Sequence, residues 1–423
     1  MKKHLIIIIA LLGICLCLSG CSPAPTLSGI DNTIEIDCGT TFNLKDYLNE
    51  NLKIVTESEN GTSEYKLSDV ELIVKCDDNI YNSETGDIDT WKSGEYDVKV
   101  SIKIPKHSKG SLDFTLKINP LKVISSVENT EVIDCGTDLN LKEFFAEKVK
   151  ITNQSGDTVY PLMDLKYEIS CDESIYNAET GKVDTGKYGD FKVVLALNPE
   201  GFDTEKVAFT LTLNPLIIDK GFYVYEKEFS EGEYNFLGFC EYKNGSDSDL
   251  KITSIEFQFF DNDDVMLGST DSPSYTLDYL ASGKSGYALD TLTGFDSSIL
   301  KNADDLARVE VLIDYAKPLE KDSTSLEVGD LEIINNYDYN VSGFAVNTVI
   351  TNPYDKKVDY FCFCVGLYDE NGKLIGVMDN MASDGINANS KVRDTASWLP
   401  DSRYIPDQVA TVRGSARVKS FAD

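Results

Sequence analysis

The feature that most constrains this chain is an internal repeat. The segment CDDNIYNSETGDIDT, which begins at Cys76, returns as CDESIYNAETGKVDT from Cys171. A second segment, IEIDCGTTFNLKDYL from Ile34, returns as EVIDCGTDLNLKEFF from Glu131. Repetition at a fixed spacing indicates consecutive copies of one structural unit. The two predicted copies span residues 31–122 and 128–218.

The local pattern inside each copy is that of β-strands. From residue 96 to 104, apolar and polar residues alternate, which places one apolar face on a strand. The same alternation holds at residues 114–118 and 209–213. One helical turn is predicted at residues 44–48 behind Asn43, a residue that can cap it. Several short strands within fewer than 100 residues predict a small β-sandwich.

A second, fainter pair follows. NFLGFCEYKNGSDSDLKITSIEFQFFDNDDVMLGS from Asn235 aligns with YNVSGFAVNTVITNPYDKKVDYFCFCVGLYDENGKLIGV from Tyr339. Both run as strand, polar turn, strand, Asp-led turn and return strand. Between them lies the polar segment KPLEKDSTSLEVGD, which has the composition of a linker. The predicted domain boundaries are 220–318 and 326–423.

Residues 1–20 have the proportions of a secretion signal. A basic start precedes an apolar run from Leu5 to Cys17, which is short for a membrane-spanning helix. The following Leu18-Ser19-Gly20-Cys21 resembles the lipobox of bacterial lipoproteins. The resemblance implies cleavage before Cys21, which then carries a diacylglycerol and either a third acyl chain such as palmitate or a free amine. A short linker follows at residues 21–30. Two or more acyl chains give a stable membrane anchor. The alternative is an ordinary signal peptide with Cys21 as a plain cysteine.

Two further resemblances concern the domains. The CGT turn and the strands GEYDVKV and GDFKVVL of the first pair resemble bacterial Ig-like domains. Residues 257–261 (FQFFD) and 365–369 (VGLYD) resemble the strand end of FxLYD domains, although neither keeps every letter of that motif. Both families are small β-sandwiches. The expected fold class is therefore all-β, with four tandem small β-sandwich (Ig-like) domains after a cleaved lipoprotein signal peptide.

The charge balance excludes some partners. The chain has 71 acidic against 39 basic residues, a formal net charge of −32. Nucleic acid and anionic lipid surfaces would repel such a chain. We therefore expect no nucleic-acid partner. The expected contact with the membrane is made through the lipid anchor.

Cysteines of the first pair occupy equivalent places. Strand parity points Cys38, Cys76, Cys135 and Cys171 inward, and paired inward cysteines in an exported protein suggest one disulfide in each repeat. The alternative is buried free thiols acting as small apolar residues. We expect the other cysteines of the mature chain to lie in the core. These are Cys240, Cys362 and Cys364.

The acidic segments that begin at Cys76 and Cys171, which we call the acidic loops, offer candidate ligands for Ca²⁺. Calcium needs six to eight oxygens from a tight loop, and the acids here lie far apart and change between the copies. The residues kept in both copies are those that form turns before a strand. Loop structure is the favoured interpretation, and no cofactor is expected. The candidate ligands are Asp77, Asp78, Asp87, Asp89, Asp172 and Asp184.

No reaction centre stands out in the sequence. The chain has two histidines, His4 in the signal and His107 in a lysine-rich turn, and no Gly-x-Ser-x-Gly elbow or His-x-x-x-His pair. Among so many acids, no carboxylate pair is marked out for glycoside hydrolysis. We therefore expect a non-catalytic protein, with a cell-wall hydrolase as the remote alternative.

The last domain carries a locally positive stretch. Arginine beside aromatic residues suits recognition of an anionic wall polymer or an acidic protein. The alternative is a solvated strand face, since basic and apolar residues alternate there. The candidate residues are Arg393, Trp398, Arg403, Tyr404, Arg413 and Arg417.

Together these patterns predict a lipid-anchored bacterial protein on the outer side of the cell membrane, acting as a binding or scaffold module. The C-terminal domains would lie distal to the membrane and meet an unidentified surface protein or wall polymer. A calcium-stiffened rod or adhesin is the alternative.

Overall fold

A computed structural model describes residues 23–58, 61–197, 206–226, 233–296, 306–337, 343–380, 385–397 and 408–422. The predicted signal and Cys21 lie outside these ranges. The chain forms two compact units. The first comprises residues 1–129, 141–170 and 193–209, and the second comprises 130–140, 171–192 and 210–423. The division runs through the second predicted repeat.

The first repeat contains seven described strands and one α-helix. The strands are β1 (Thr26–Ser28), β2 (Thr33–Asp37), β3 (Lys53–Ser58), β4 (Gly61–Tyr65), β5 (Glu71–Lys75), β6 (Gly94–Lys103) and β7 (Gly110–Asn119). The helix is α1 (Leu44–Asn51), and a 3₁₀ turn covers Leu67–Asp69. The strands form two sheets, ordered β1-β3-β4 and β2-β7-β6-β5, over one apolar core.

Local chemistry explains these elements. In β6, Val98, Val100 and Ile102 are buried, as the alternation predicted. Helix α1 begins where Asn43 Oδ1 accepts a hydrogen bond from the Asp46 N–H at 3.0 Å, which satisfies one of the free N–H groups of the first turn. The helical turn predicted from the sequence is confirmed.

The second repeat has the corresponding elements. Its strands are β8 (Lys122–Ser125), β9 (Thr130–Asp134), β10 (Leu139–Asn140), β11 (Val149–Thr152), β12 (Val159–Tyr160), β13 (Tyr167–Ser170), β14 (Lys182–Val183), β15 (Gly189–Leu197) and β16 (Lys206–Asn214). Its helix is α2 (Leu141–Lys148), with a 3₁₀ turn at Leu162–Asp164. The sheet order β13-β15-β16-β9 matches β5-β6-β7-β2 of the first repeat.

The remaining strands belong to the second unit. They are β17 (Leu216–Glu226), β18 (Glu233–Asn244), β19 (Leu250–Asp261), β20 (Met266–Thr270), β21 (Ser274–Tyr275), β22 (Tyr279–Leu280), β23 (Ser285–Asp296), β24 (Leu306–Ala316), β25 (Ser325–Val328), β26 (Glu332–Tyr337), β27 (Gly343–Thr351), β28 (Val358–Tyr368), β29 (Leu374–Asp379), β30 (Lys391–Ala396) and β31 (Thr411–Phe421). We call β17–β24 the third domain and β25–β31 the fourth domain.

The third and fourth domains share one turn design. In the third, buried Asn244 donates through Nδ2 to Ser248 O at 2.8 Å and Leu280 O at 3.0 Å. In the fourth, buried Asn352 donates through Nδ2 to Lys356 O at 2.8 Å. Each asparagine ties a turn to the core, because a buried amide must be hydrogen-bonded. The faint sequence alignment therefore reflects a common structure.

Each of these domains is a sandwich of its own. The third pairs sheet β17-β18-β23-β21 with a sheet in which β19 binds β20, β22 and β24. The fourth is one seven-stranded sheet, ordered β26-β27-β25-β31-β28-β29 with β30 on β27, and its two halves enclose the core because β25 pairs with both β27 and β31. A separate apolar core fills each domain. The predicted all-β fold of four small β-sandwiches is confirmed, and the exact domain boundaries stay a prediction.

Within the described ranges, no helix is long and apolar enough to cross a membrane.

Candidate functional site

The repeated CGT phrase forms a cross-linked turn at one end of the first repeat. The Cys38 N–H donates to Asn119 O at 3.0 Å, and the Gly39 N–H donates to Thr90 O at 3.3 Å. Thr90 returns a bond from its hydroxyl to Thr40 O at 2.6 Å. Thr90, Asn119 and the turn Cys38-Gly39-Thr40 therefore meet in one place, which we call the repeat-end cluster.

The second repeat builds the same cluster. The Cys135 N–H donates to Asn214 O at 2.8 Å, and the Gly136 N–H donates to Thr185 O at 3.2 Å. The Thr185 hydroxyl donates to Thr137 O at 2.7 Å. Segments that lie far apart in the sequence are thus kept together in both copies because they bond to one another.

Each repeat-end cluster contacts the domain that follows it in the chain. In the first unit, the Tyr160 hydroxyl of the second repeat donates to Cys38 O at 3.2 Å, and its ring lies edge-on to Trp91 with centroids 5.7 Å apart. In the second unit, the Asp247 N–H of the third domain donates to Gly186 O at 2.7 Å. The sequence segments that occur in both repeats therefore form junctions between successive domains.

The acidic loops are closed by their own carboxylates. Asp77 Oδ1 accepts from the Asn79 N–H at 2.9 Å, and Asp172 Oδ1 accepts from the Ser174 N–H at 2.8 Å. Such bonds form turns in which the side chain replaces a backbone acceptor. In the second loop this bonding holds the pKa of Asp172 below its usual range.

The other candidate metal ligands are used in the same way. Asp89 Oδ1 accepts from the Trp91 N–H at 3.2 Å, and Asp184 Oδ1 accepts from the Gly186 N–H at 3.2 Å. Asp87 accepts from Asn43 Nδ2 at 2.9 Å. Bonds from Thr85 and Asn43 lower the pKa of Asp87, while Asp78 is exposed. Among the described residues, no three His, Cys, Asp or Glu side chains are grouped to hold a metal ion.

A lysine that the sequence reasoning missed lies in each loop. Lys92 Nζ donates to Asn79 O at 2.6 Å and pairs with Asp89 at 3.3 Å. Lys187 Nζ contacts Ser174 O and pairs with Asp184 at 3.7 Å. In each loop the lysine ammonium group therefore binds oxygen atoms that a metal ion would need as ligands. The sequence signal was available, since both lysines stand equally far after the loop cysteine.

The predicted disulfides are not formed, since the described cysteines are free thiols. Cys38 follows β2 and Cys76 follows β5, and these are the two outer strands of the sheet β2-β7-β6-β5. Three strand spacings amount to roughly 14 Å, whereas a bridge requires Cα atoms within about 7 Å. Cys135 and Cys171 follow the corresponding strands of the second repeat. Parity placed the thiols on the correct face but could not give the strand order.

Burial also makes two of these thiols unreactive. It raises the pKa of Cys38 to about 11 and, in the second repeat, the pKa of Cys135 to about 11, with help from nearby carboxylates. A thiol is nucleophilic only as the thiolate. Cys240, Cys362 and Cys364 are buried, which confirms their predicted place in the core.

A third apolar cluster joins the third and fourth domains inside the second unit. Sheet β17-β18-β23-β21 packs against β28 and β29 through side chains from both domains. These are Leu237, Phe239, Tyr287, Leu289, Cys362, Cys364, Tyr368, Leu374 and Val377. We call this set the docking cluster. It joins the two sandwiches into one body, in which the central residues of β18 and β28 are buried on both faces of their strands.

A buried polar network accompanies the docking cluster. The hydroxyls of Tyr287 and Tyr368 lie 2.9 Å apart, and the Tyr368 hydroxyl donates to Glu241 Oε2 at 2.8 Å. Burial raises the pKa of Tyr287 to about 12 and that of Tyr368 further above its usual value. Both phenols therefore stay protonated, and their bonds align the two domains.

Arg417, a predicted binding residue, is used inside the protein. Its guanidinium stacks on the Tyr275 ring at 3.9 Å, donates through Nε to Tyr275 O at 2.9 Å and lies 3.8 Å from Asp278. Its side chain is 15% exposed. Asp278 also accepts at 2.6 Å from the hydroxyl of Thr324, which directly precedes β25 of the fourth domain. Arg417 therefore fastens the fourth domain to the third.

The other predicted binding residues do not form one patch in the described ranges. Arg393 lies on β30, is 64% exposed and is 3.7 Å from Glu332. Arg413 lies on β31, which is not a neighbour of β30, and stacks on Tyr368 at 4.6 Å. Trp398, Arg403 and Tyr404 lie outside the described residues.

The comparisons with known proteins are weak. No family model and no curated protein matches the chain. Among solved structures, domains 4–9 of the surface layer protein SbsC match at 13% identity and a TM-score of 0.28, covering 88% of this chain and 69% of that one. Domains 6–7 of the same protein match at 14% identity and a TM-score of 0.24, covering 45% and 98%.

A third match is to the three N-terminal domains of the outer capsid protein Hoc of bacteriophage RB49. It has 10% identity and a TM-score of 0.26, and it covers 88% of this chain and 97% of that one. TM-scores in this range carry no argument about function.

Proposed function

We propose that this chain is a lipid-anchored bacterial cell-surface protein that acts by spacing and binding and not by catalysis. Cys21 would carry the anchor in the outer leaflet. The repeats would then follow the anchor, and the paired third and fourth domains would meet a surface protein or a wall polymer.

The observation that carries the proposal is the docking cluster. A linker between two sandwiches usually permits relative motion unless the interface is large and apolar. Here aromatic and aliphatic side chains from both domains fill the interface, and Arg417 and Tyr368 add polar contacts to it. A body built in this way presents a fixed outer surface, which suits recognition because little ordering entropy is lost on binding.

The repeat-end clusters support the spacing role. The same turn contacts the next domain in both copies, so duplication lengthened the chain and kept the junction. A spacer with defined junctions holds its last domains at a set distance from the membrane better than a flexible linker does.

Arg393 is the described basic residue best placed to meet an anionic partner. Its side chain is 64% exposed, and its guanidinium lies 3.7 Å from the carboxylate of exposed Glu332. A surface ion pair of this kind contributes little to stability. The guanidinium therefore remains available for a carboxylate or phosphate, for which its planar fork is suited.

Anchoring is tested by expressing the full chain and a Cys21→Ser variant with a clickable palmitate analogue. We expect label and membrane retention for the wild type, and an unlabelled protein released into the medium for the variant. Equal membrane retention without label in both would contradict the anchor.

Binding is tested by placing a photo-cross-linking amino acid at Arg393 in intact cells, with the exposed Thr62 of the first repeat as the control position. We expect a specific adduct from position 393. Identical adduct patterns from both positions would contradict recognition by the fourth domain.

A further inference from the structure

The first and last core strands of the first repeat are parallel neighbours. Strand β2 pairs with β7 in the register Thr33↔Thr115 to Asp37↔Asn119. Hydrogen bonds close both ends of this pairing, from the Thr115 N–H to Asn32 O at 2.9 Å and from the Cys38 N–H to Asn119 O at 3.0 Å. The pairing therefore holds the first core strand of the repeat to the last along their whole length.

The second repeat has the same arrangement. Strand β9 is parallel to β16 in the register Thr130↔Thr210 to Asp134↔Asn214. The Cys135 N–H closes the pairing on Asn214 O at 2.8 Å. A side-chain bond from Asn214 Nδ2 to Asp134 Oδ1 at 3.1 Å strengthens that end.

Parallel pairing of the terminal strands decides how tension acts on a repeat. Tension enters β2 at its N-terminal end and leaves β7 at its C-terminal end, and in a parallel pair these ends are opposite. The two strands are therefore pulled past each other along their length. The ladder bonds run across the strands and share the force, so they must break together.

The terminal strands of the fourth domain are not paired in parallel. Its first strand, β25, is antiparallel to its last strand, β31, in the register Ser325↔Arg417 and Leu326↔Ala416. In an antiparallel pair the chain enters and leaves at the same end. Tension then separates the bonds one after another, which needs less force.

We propose that the two repeats are tension-resisting elements of a surface tether, and that the fourth domain yields before them. This inference rests on the proposed function only for its biological setting, since a tether is under tension when one end is anchored and the other is held by a partner. The mechanical property belongs to the folded chain itself.

The test is single-molecule stretching of the mature chain from residue 22 to residue 423. From the start of its first core strand to the end of its last, each repeat holds about 85 residues, so its unfolding should lengthen the chain by roughly 30 nm. We expect two events of this length at the highest forces, after the fourth domain has opened. Repeats that open before the fourth domain, or at the same force, would overturn the proposal.

Variants in the second repeat identify the strands responsible, and the first repeat serves as an internal reference. Because the Cys135 N–H donates to Asn214 O, the alternation of N–H directions along a strand points the Ile133 N–H toward β16 as well and the Val132 N–H away from it. Ile133→Pro removes a ladder bond, so one high-force event should be lost. Val132→Pro places the same ring at an exposed position without removing a bond, and Ile133→Ala keeps the N–H while shortening the side chain.

Both control variants should keep two high-force events. Loss of an event in Val132→Pro would assign the effect to proline in general, and loss in Ile133→Ala would assign it to side-chain packing. Either result contradicts the strand-pairing explanation. Stretching uses purified protein and does not depend on lipid anchoring. The mechanical proposal can therefore be contradicted while anchoring at Cys21 is confirmed, and the reverse also holds.

Discussion

The phenol oxygens of Tyr287 and Tyr368 lie 2.9 Å apart at a buried interface between two sandwiches. Since Tyr368 donates its proton to Glu241, Tyr287 is the donor between the two tyrosines. The three groups form a directed chain of hydrogen bonds from the third domain to the fourth and back. A buried chain of this kind aligns the partners as well as stabilising them.

Removing the Tyr368 hydroxyl should loosen the docking cluster. In Tyr368→Phe, the Tyr287 hydroxyl loses its acceptor and Glu241 loses a donor. We expect a loss of about 1–3 kcal/mol, because buried polar groups left unpaired are costly. Amide hydrogen exchange of β18 and β28 measures this locally.

Tyr360→Phe is the matched control for that variant. Tyr360 lies on the same strand, β28, but is 65% exposed. Its exchange rates should equal those of the wild type. Equal rates in Tyr368→Phe as well would show that the network does not contribute to docking.

Stability of the second unit should fall as the pH rises through Asp379. Burial raises the pKa of this carboxyl to about 6 from an ordinary 3.8, against smaller opposing effects of Ser274 and Lys419. Since the folded state binds this proton more tightly, the contribution of Asp379 to stability is fully present below about pH 4 and is lost as the pH rises to about 6.

The loss should reach up to about 3 kcal/mol, on the basis of 1.36 kcal/mol per pKa unit. Thermal unfolding at a series of pH values measures it. Asp379→Asn cannot titrate, so this part of the pH dependence should disappear. A variant with the pH profile of the wild type would contradict the assignment.

The repeat-end cluster should reject a methyl group at Gly39. Gly39 has a φ of +79°, and a Cβ there would lie 3.0 Å from Trp91 and from Tyr160. Gly156 has a φ of +81° with open space around it, which makes it a matched control. Both alanine variants should lose about 1 kcal/mol to the left-handed backbone.

Steric contact of the new methyl group with Trp91 and Tyr160 should lower the stability of Gly39→Ala by about 1–3 kcal/mol more. Urea titration of the two variants gives the difference directly. If both variants lose the same stability, the junction has room to relax and is softer than the contacts indicate.

Reducing agent should not change the stability of the folded protein. The outer-strand positions of Cys38 and Cys76 prevent a bridge, so both remain thiols. Thermal unfolding with and without a reductant should give the same midpoint. Peptide mapping without reduction should show both cysteines alkylated, and a cross-linked peptide would contradict the strand order.

Much of the architecture was predictable because it depends on local patterns. The alternation of apolar and polar residues predicted strand β6. The capping residue Asn43, followed by apolar residues at i, i+3 and i+4, predicted helix α1. The duplicated phrases gave the two repeats. The docking cluster also had a signal that the prediction did not use. The run FCFCVGLY within β28 has no polar alternation, which is typical of a strand buried on both faces.

The sequence by itself determined the β-strands, the duplication and the inward direction of the cysteines, because each follows from periodicity along the chain. Only the tertiary structure decided which strands are neighbours. That order separated Cys38 from Cys76, placed Arg417 against Tyr275 and brought Tyr287 to Tyr368. Strand order depends on packing between distant segments, and no local pattern encodes it.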